Sequence, residues 1–210
     1  MGKINVVGLG PGNTDYLTGA GIKKIREGDI LIGGERQLDE IKCFINDSQK
    51  LFPLKKLEEM KEFVINNIEE NTITFIVSGD TGYYSLLTYL KKSFPDNDFD
   101  VVPGISSFQY LFGKIEDTWE NFSLHSVHGR DLDIIDALEK SYRGIVLLTD
   151  KDNNPYEIGK TLYENYISHC DIIIGERLSY DDEKITICDI EDYEDLNREF
   201  KMNVTIIRKR

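Results

Sequence analysis

Ser78-Gly79-Asp80-Thr81-Gly82 sets a carboxylate between two glycines directly after the apolar run Phe75-Ile76-Val77. Glycines permit positive φ and close backbone approach, so Asp80 can be held at a strand end beside bare peptide groups. That arrangement suits gripping a polar ligand, although a capped left-handed turn explains the same residues. Two further strand exits are built alike: Gly8-Leu9-Gly10-Pro11-Gly12 after Ile4-Asn5-Val6-Val7, and Pro103-Gly104-Ile105-Ser106-Ser107 after Phe99 to Val102. The first is a poor dinucleotide fingerprint, because Asn13 stands at the third glycine position and Pro11 has no N–H to offer a pyrophosphate. No Walker lysine follows Gly12, so it is not a P-loop. Gly104-Ile105-Ser106-Ser107-Phe108 lacks the second glycine of a G-x-S-x-G nucleophile elbow.

His125 and His128 stand in a strand-like stretch, where alternation sends them to opposite faces, and no third ligand lies at a metal-like spacing, so no metal site is expected. His128-Gly129-Arg130 ends that stretch and could face a cleft or be a satisfied polar strand end. The cluster Asp181-Asp182-Glu183 reads as a solvated turn.

The elements that must carry these residues alternate regularly. Strands are expected over Ile4 to Gly8, Asp29 to Gly34, Thr72 to Val77 and Phe99 to Val102. Between them, helical spacing gives Leu17, Ile22 and Ile25 up to Gly28, then Leu38, Ile41, Phe44 and Ile45, then Met60, Val64 and Ile68, and a helix over Tyr83 to Leu90. This order calls for a largely parallel sheet with helices on both faces. If the three glycine-rich exits leave its carboxyl edge, they converge on one crevice, where such sheets bind ligands.

A polar connection around Lys114 to Glu120 marks a domain boundary. Beyond it come a strand near Phe122, a helix over Asp133 to Lys140, a strand over Gly144 to Thr149 and a helix opened by Pro155. Three strand signals follow, Cys170 to Ile174, Lys184 to Cys188 and Asn203 to Ile207, with few helical residues between the last ones. Short links favour antiparallel pairing, so this half should hold a mixed sheet.

The 210 residues, 40% of them hydrophobic, suffice for real cores. A net charge of -13, from 38 acids and 25 bases, argues against nucleic acid or an anionic membrane as the main partner. No run reaches the roughly 18 to 20 apolar residues of a membrane span, and Met1-Gly2-Lys3 leads straight into a strand, so a cytoplasmic protein is expected. Cys43, Cys170 and Cys188 are odd in number and widely spaced, and read as small core residues.

Together, Val7-Gly8-Leu9-Gly10-Pro11-Gly12 with Leu17-Thr18, Ser78-Gly79-Asp80-Thr81-Gly82-Tyr83-Tyr84-Ser85 and Val102-Pro103-Gly104-Ile105-Ser106-Ser107 resemble the tetrapyrrole methylases of corrin and sirohaem biosynthesis. Each piece is weak alone; three in this order are specific, and the likeness runs along nearly the whole chain. Ser126-Val127-His128-Gly129-Arg130, Leu148-Thr149-Asp150 and Gly175-Glu176-Arg177-Leu178 are similar to the members that methylate C5 of a cobalt-precorrin.

The resemblance implies an S-adenosylmethionine (SAM) methyltransferase of two α/β domains, residues 1–115 and 116–210, with SAM in the cleft between them, usually a homodimer. Carried over by position, Leu9, Gly79, Asp80, Tyr83, Ser106, Ser107, Leu148 and Thr149 would surround SAM. Gly10, Pro11, Arg36, Arg130 and Arg177 would face the acceptor, a small corrinoid rich in carboxylates that suit arginine pairing. A surface salt bridge would account for each arginine equally well. Methyl transfer from a sulfonium needs alignment rather than an enzyme nucleophile, and His128 is the candidate acceptor of the proton lost afterwards. Relatives often carry histidine where this chain has Gln37, so no substrate contact is carried over to that position. Some larger relatives fuse a decarboxylating C15-methyltransferase; 210 residues leave no room for it, so a separate chain is expected to do that step. Other family enzymes, such as a uroporphyrinogen methylase or diphthine synthase, stay open, as does an NAD-binding oxidoreductase or a nucleotide sensor.

Overall fold

Strand β1 (Lys3–Gly8) buries every residue after Lys3, because it lies between β4 (Ile73–Val77) and β5 (Asp98–Val102) and runs parallel to both. A strand covered on both faces reads as a continuous apolar run, which is why the pattern here does not alternate. The computed structural model describes residues 3–210, which divide into two units after Ser106.

In the first unit, β2 (Ile30–Gly33) and β3 (Lys50–Pro53) complete a five-stranded sheet of order β3-β2-β4-β1-β5, parallel throughout. Neighbouring strand residues point to opposite faces. Val7, Leu9, Leu31 and Ile76 accordingly meet Ile25 of α1 (Gly19–Glu27) and Leu38 of α2 (Glu35–Glu40). Ile4, Val6, Ile32 and Phe75 meet Met60 and Val64 of α3 (Leu57–Asn67) and Leu90 of α4 (Leu87–Ser93). Each fully buried aliphatic side chain contributes about 1.5–3 kcal/mol, which stabilises helices as short as α2 that would not form alone. Thr18 caps α1 by accepting the Gly21 N–H at 3.1 Å.

The second unit begins with α5 (Ser107–Lys114) and carries β6 (Phe122–Ser126), α6 (Ile134–Lys140), β7 (Gly144–Leu148), α7 (Pro155–Glu164), β8 (Cys170–Glu176), β9 (Lys184–Asp189) and β10 (Asn203–Lys209). Its sheet order is β6-β7-β10-β8-β9. β6 and β7 are parallel, joined through α6, and the remaining pairs are antiparallel. One core gathers Ala137 and Leu138 of α6, Ile158 and Leu162 of α7, and Ile145, Leu147, Ile172 and Ile207 of the sheet. The chain is thus α/β with a parallel and a mixed sheet, as expected.

Three local expectations need correction, and one strand has no counterpart among them. β3 was not anticipated: it is a four-residue edge strand with Leu51 exposed and Pro53 at its end, too short and too open to leave a period. The helix expected over Tyr83 to Leu90 starts only at Leu87, because Tyr84 adopts φ 49, outside the helical region. Cys43 is exposed on the 3-10 turn Lys42–Phe44, while Cys170 and Cys188 are buried. His128 lies in a turn after β6 rather than in the strand. No helix among the described residues is long and apolar enough to cross a membrane.

Candidate functional site

The carboxyl ends of β1, β4 and β5 meet through glycine backbone. A methyl group on Gly8 would sit 2.5 Å from the Gly104 nitrogen and 2.7 Å from the Gly79 oxygen, closer than carbon can approach. Gly10 donates to the Gly79 oxygen at 3.2 Å and Gly79 donates back to the Gly10 oxygen at 2.9 Å, while Leu9 donates to Val77 at 2.8 Å. Gly10 and Gly79 hold φ of +89° and +63°, which glycine adopts without steric cost. The first two exits are therefore stitched into one backbone surface, and the third is pressed against it at Gly104.

Asp80 follows Gly79 on this surface, half-buried. Its Oδ1 accepts the Gly82 N–H at 2.7 Å, which fixes the carboxylate in an Asx turn. Oδ2 accepts nothing among the described residues and can receive a donor from a ligand. Next to it the backbone of Gly79 is open: a methyl there would meet only Ser106 Cα, at 3.8 Å. Tyr83 is half-buried with Tyr84 edge-on at 4.9 Å, and burial pushes its phenol far above the usual range, so it is neutral at any working pH. Leu9 has its side chain in the core, so only its backbone can face a ligand. Ser106 is buried. Pro11 is buried beside Gly10.

Arg36 and Gln37, at the start of α2, reach the same loop from β2. Arg36 Nη2 donates to Ser78 Oγ at 2.7 Å and Gln37 Nε2 donates to it at 2.9 Å. Arg36 Nη1 also pairs with Glu40 at 2.8 Å. Arg36, expected at the acceptor, is thus tied to the residue that precedes Gly79-Asp80.

In the second unit the corresponding strand ends carry His128, Leu148 and Thr149. His128 Nδ1 lies 3.3 Å from the Thr149 carbonyl and can meet it only as an N–H donor, which leaves Nε2 as the basic nitrogen of the neutral ring. Gly129, at φ +61°, donates to Asp150 Oδ2 at 2.8 Å. The amides of Asn153 and Gly129, outweighing slight burial, hold the Asp150 carboxyl below its usual range. Thr149 Oγ1 donates to Asn203 Oδ1 at 2.6 Å. His128, Thr149, Asp150 and Asn203 line a pocket of about 660 Å³ within this unit, together with Lys151 and Lys201. Ser107 begins α5, and Arg130 is exposed beyond Gly129. Arg177 pairs with Asp182 at 3.0 Å and lies 3.9 Å over the Tyr180 ring. Burial depresses the pKa of His125, away from this pocket lining.

The structure thus brings Leu9, Gly10, Pro11, Gly79 and Asp80 together in the first unit, and His128 with Thr149 in the second. Sequence reasoning overlooked Ser78 as an anchor and Asn203 as the partner of Thr149, both of which depend on residues far away in the chain. Chemically, the first-unit surface offers open backbone at Gly79 and one half-satisfied carboxylate, with no activated nucleophile among the described residues.

The sequence model of the tetrapyrrole (corrin/porphyrin) methylases matches residues 3–194. A Methanocaldococcus jannaschii protein named as a probable cobalt-precorrin-7 C(5)-methyltransferase is 32% identical, over 88% of this chain and 88% of its own. The Salmonella typhimurium cobalt-precorrin-7 C(5)-methyltransferase is 26% identical over 97% of this chain and 98% of its own. A solved structure of uroporphyrin-III C-methyltransferase from Thermus thermophilus, complexed with S-adenosylhomocysteine, superposes with TM-score 0.78 at 17% identity, covering 99% and 97% of the two chains.

Proposed function

We propose, from the premise that this chain belongs to the tetrapyrrole (corrin/porphyrin) methylases, that it methylates C5 of cobalt-precorrin-7 with SAM as donor. It is a SAM-dependent C-methyltransferase of cobalamin biosynthesis by its family and by relatives of that activity that match along most of its length. The choice of C5 is carried by one observation: the two relatives so named are similar over at least 88% of both chains.

The first-unit residues fit SAM. The open backbone at Gly79 accommodates a ligand lying flat against the loop, and Asp80 Oδ2 can accept from an ammonium or a ribose hydroxyl. SAM, when bound, supplies a methyl group on an electrophilic sulfonium. Leu9, Gly79, Asp80, Tyr83 and Ser106 are proposed to bind and orient it, a task for which fixed backbone and a rigid Asx turn suffice. Ser107, Leu148 and Thr149 are proposed as further SAM contacts on the family resemblance. A neutral Tyr83 adds a wall without charge near a cation.

His128 is proposed to take the proton released after methylation, through Nε2, with the Thr149 carbonyl fixing the ring. Gly10, Pro11, Arg36 and Arg130 are proposed on the acceptor side. Arg177 is proposed there too, by exchanging Asp182 for an acceptor carboxylate. A cytoplasmic homodimer, supplied with or followed by a separate C15-methylating chain, completes the proposal.

Calorimetry with SAM, S-adenosylhomocysteine and NAD, followed by turnover with cobalt-precorrin-7 and with uroporphyrinogen III, tests this reading. Binding of the two adenosyl ligands and turnover of the cobalt-precorrin alone are expected. Binding of NAD alone, or turnover of uroporphyrinogen alone, overturns it.

A further inference from the structure

The hydroxyl of Ser78 has its direction fixed by two side chains from elsewhere in the fold. A serine oxygen has two lone pairs and one proton. Arg36 Nη2, at 2.7 Å, and Gln37 Nε2, at 2.9 Å, both donate to it, so both lone pairs are occupied. The one thing Ser78 can still do is donate, and among the described residues nothing accepts its proton. The residue is exposed, at the mouth of β4 and one position before the open backbone of Gly79.

We propose that Ser78 is a carboxylate-binding residue, with Arg36 and Gln37 as the positioning residues that keep its proton turned outward. Donation from a guanidinium polarises the hydroxyl and strengthens the bond it gives in turn. An ordinary serine rotates to donate or accept as required; this one discriminates against donors, since an approaching N–H or O–H finds no lone pair. A carboxylate oxygen, all acceptor, is the complementary group. The Glu40 carboxylate, 2.8 Å from Arg36 Nη1, fixes the guanidinium plane and offsets its charge, so selectivity rests on the direction of the hydroxyl bond more than on bulk charge. Gln37 thereby gains a role as an anchor for the loop. The inference rests on the methyl-transfer reading, in which both reactants carry carboxylates: the amino-acid end of SAM and the acid side chains of the corrinoid.

Four variants separate the sources. Ser78→Ala removes the donor, Ser78→Thr keeps it, Gln37→Ala frees one lone pair, and Gln37→Glu is isosteric but takes the Ser78 proton for itself. SAM affinity by calorimetry and KM for cobalt-precorrin-7 are measured for each, with thermal unfolding as the check on folding. Ser78→Ala and Gln37→Glu are expected to weaken one of the two ligands by about tenfold or more, the usual cost of a lost bond to a charged group. Ser78→Thr should restore it and Gln37→Ala should fall between. A change in SAM affinity assigns the carboxylate to SAM; a change in acceptor KM assigns it to the corrinoid. If wild-type protein binds SAM while Ser78→Ala alters neither constant, or if Gln37→Glu matches wild type, the inference is wrong. Failure of the wild type to bind SAM would instead overturn the methyl-transfer reading itself.

Discussion

Gly10 and Gly79 exchange two backbone hydrogen bonds, 3.2 Å in one direction and 2.9 Å in the other, and so lock the loop after β1 to the loop after β4. Neither could do so with a side chain at ordinary cost, since their φ angles are +89° and +63°. Asp80 inherits its position from this pair, being the next residue along.

Gly79→Ala therefore separates backbone strain from crowding. The new methyl meets only Ser106 Cα at 3.8 Å, so the penalty comes from the left-handed backbone, about 1–2 kcal/mol. Gly104→Ala adds a collision, with its methyl 2.7 Å from the Gly8 carbonyl oxygen, and should cost more. Urea denaturation of the two variants checks the ranking; equal losses would contradict it.

Asp80→Asn keeps an oxygen for the Gly82 N–H but replaces the charged acceptor Oδ2 by an uncharged N–H donor. SAM affinity should fall about tenfold or more, as expected for a hydrogen bond to a charged partner, with the unfolding temperature unchanged. Calorimetry reads the first and a thermal melt the second. Unaltered affinity would remove Asp80 from the SAM site.

His128→Ala should lower kcat by about a hundredfold while leaving SAM affinity intact, if Nε2 takes the proton in the rate-limiting step. Steady-state kinetics at saturating SAM decides. A wild-type kcat would mean that solvent removes the proton.

Glu176 makes the acid stability of the second unit predictable. Its carboxylate is almost wholly buried, which alone would raise its pKa, but Arg198 at 2.5 and 3.0 Å and the Lys201 N–H at 3.1 Å together hold it below the usual glutamate value. A carboxyl with a depressed folded pKa stabilises the protein above its unfolded pKa, about 4.3, and that contribution fades as pH falls through the folded value. Arg198→Ala leaves burial opposed mainly by one amide, so the acid loss should begin closer to neutrality. At pH 7 the variant should lose about 2 kcal/mol, less than for a fully buried pair because Arg198 is partly exposed. Urea titrations between pH 4 and pH 8 measure both effects; parallel curves for the two proteins would refute the assignment.

What could be read in advance was whatever repeats locally. β1, β2 and β4 announce themselves because burial on both faces demands unbroken apolar runs, and the glycine exits because positive φ at Gly10 and Gly79 and close backbone approach at Gly8 and Gly104 both select glycine. α7 was legible from Pro155 at its first turn. The strand order was not, since β1 pairs with β4 and β5 rather than with its neighbour in sequence. Tyr84 concealed the late start of α4, because a non-glycine residue at positive φ leaves no compositional mark. Ser78 is legible only as part of a motif: its hydroxyl is held by Arg36 and Gln37, 42 and 41 residues earlier, too far apart for a local pattern. The same distance effect hid Asn203 from Thr149.

Methylation at C5 is read out by one turnover with SAM carrying a 13C-labelled methyl group and purified cobalt-precorrin-7, with the product examined by NMR. A single labelled methyl on C5 is the predicted result. A label on any other carbon, or none transferred while SAM is bound, would contradict it.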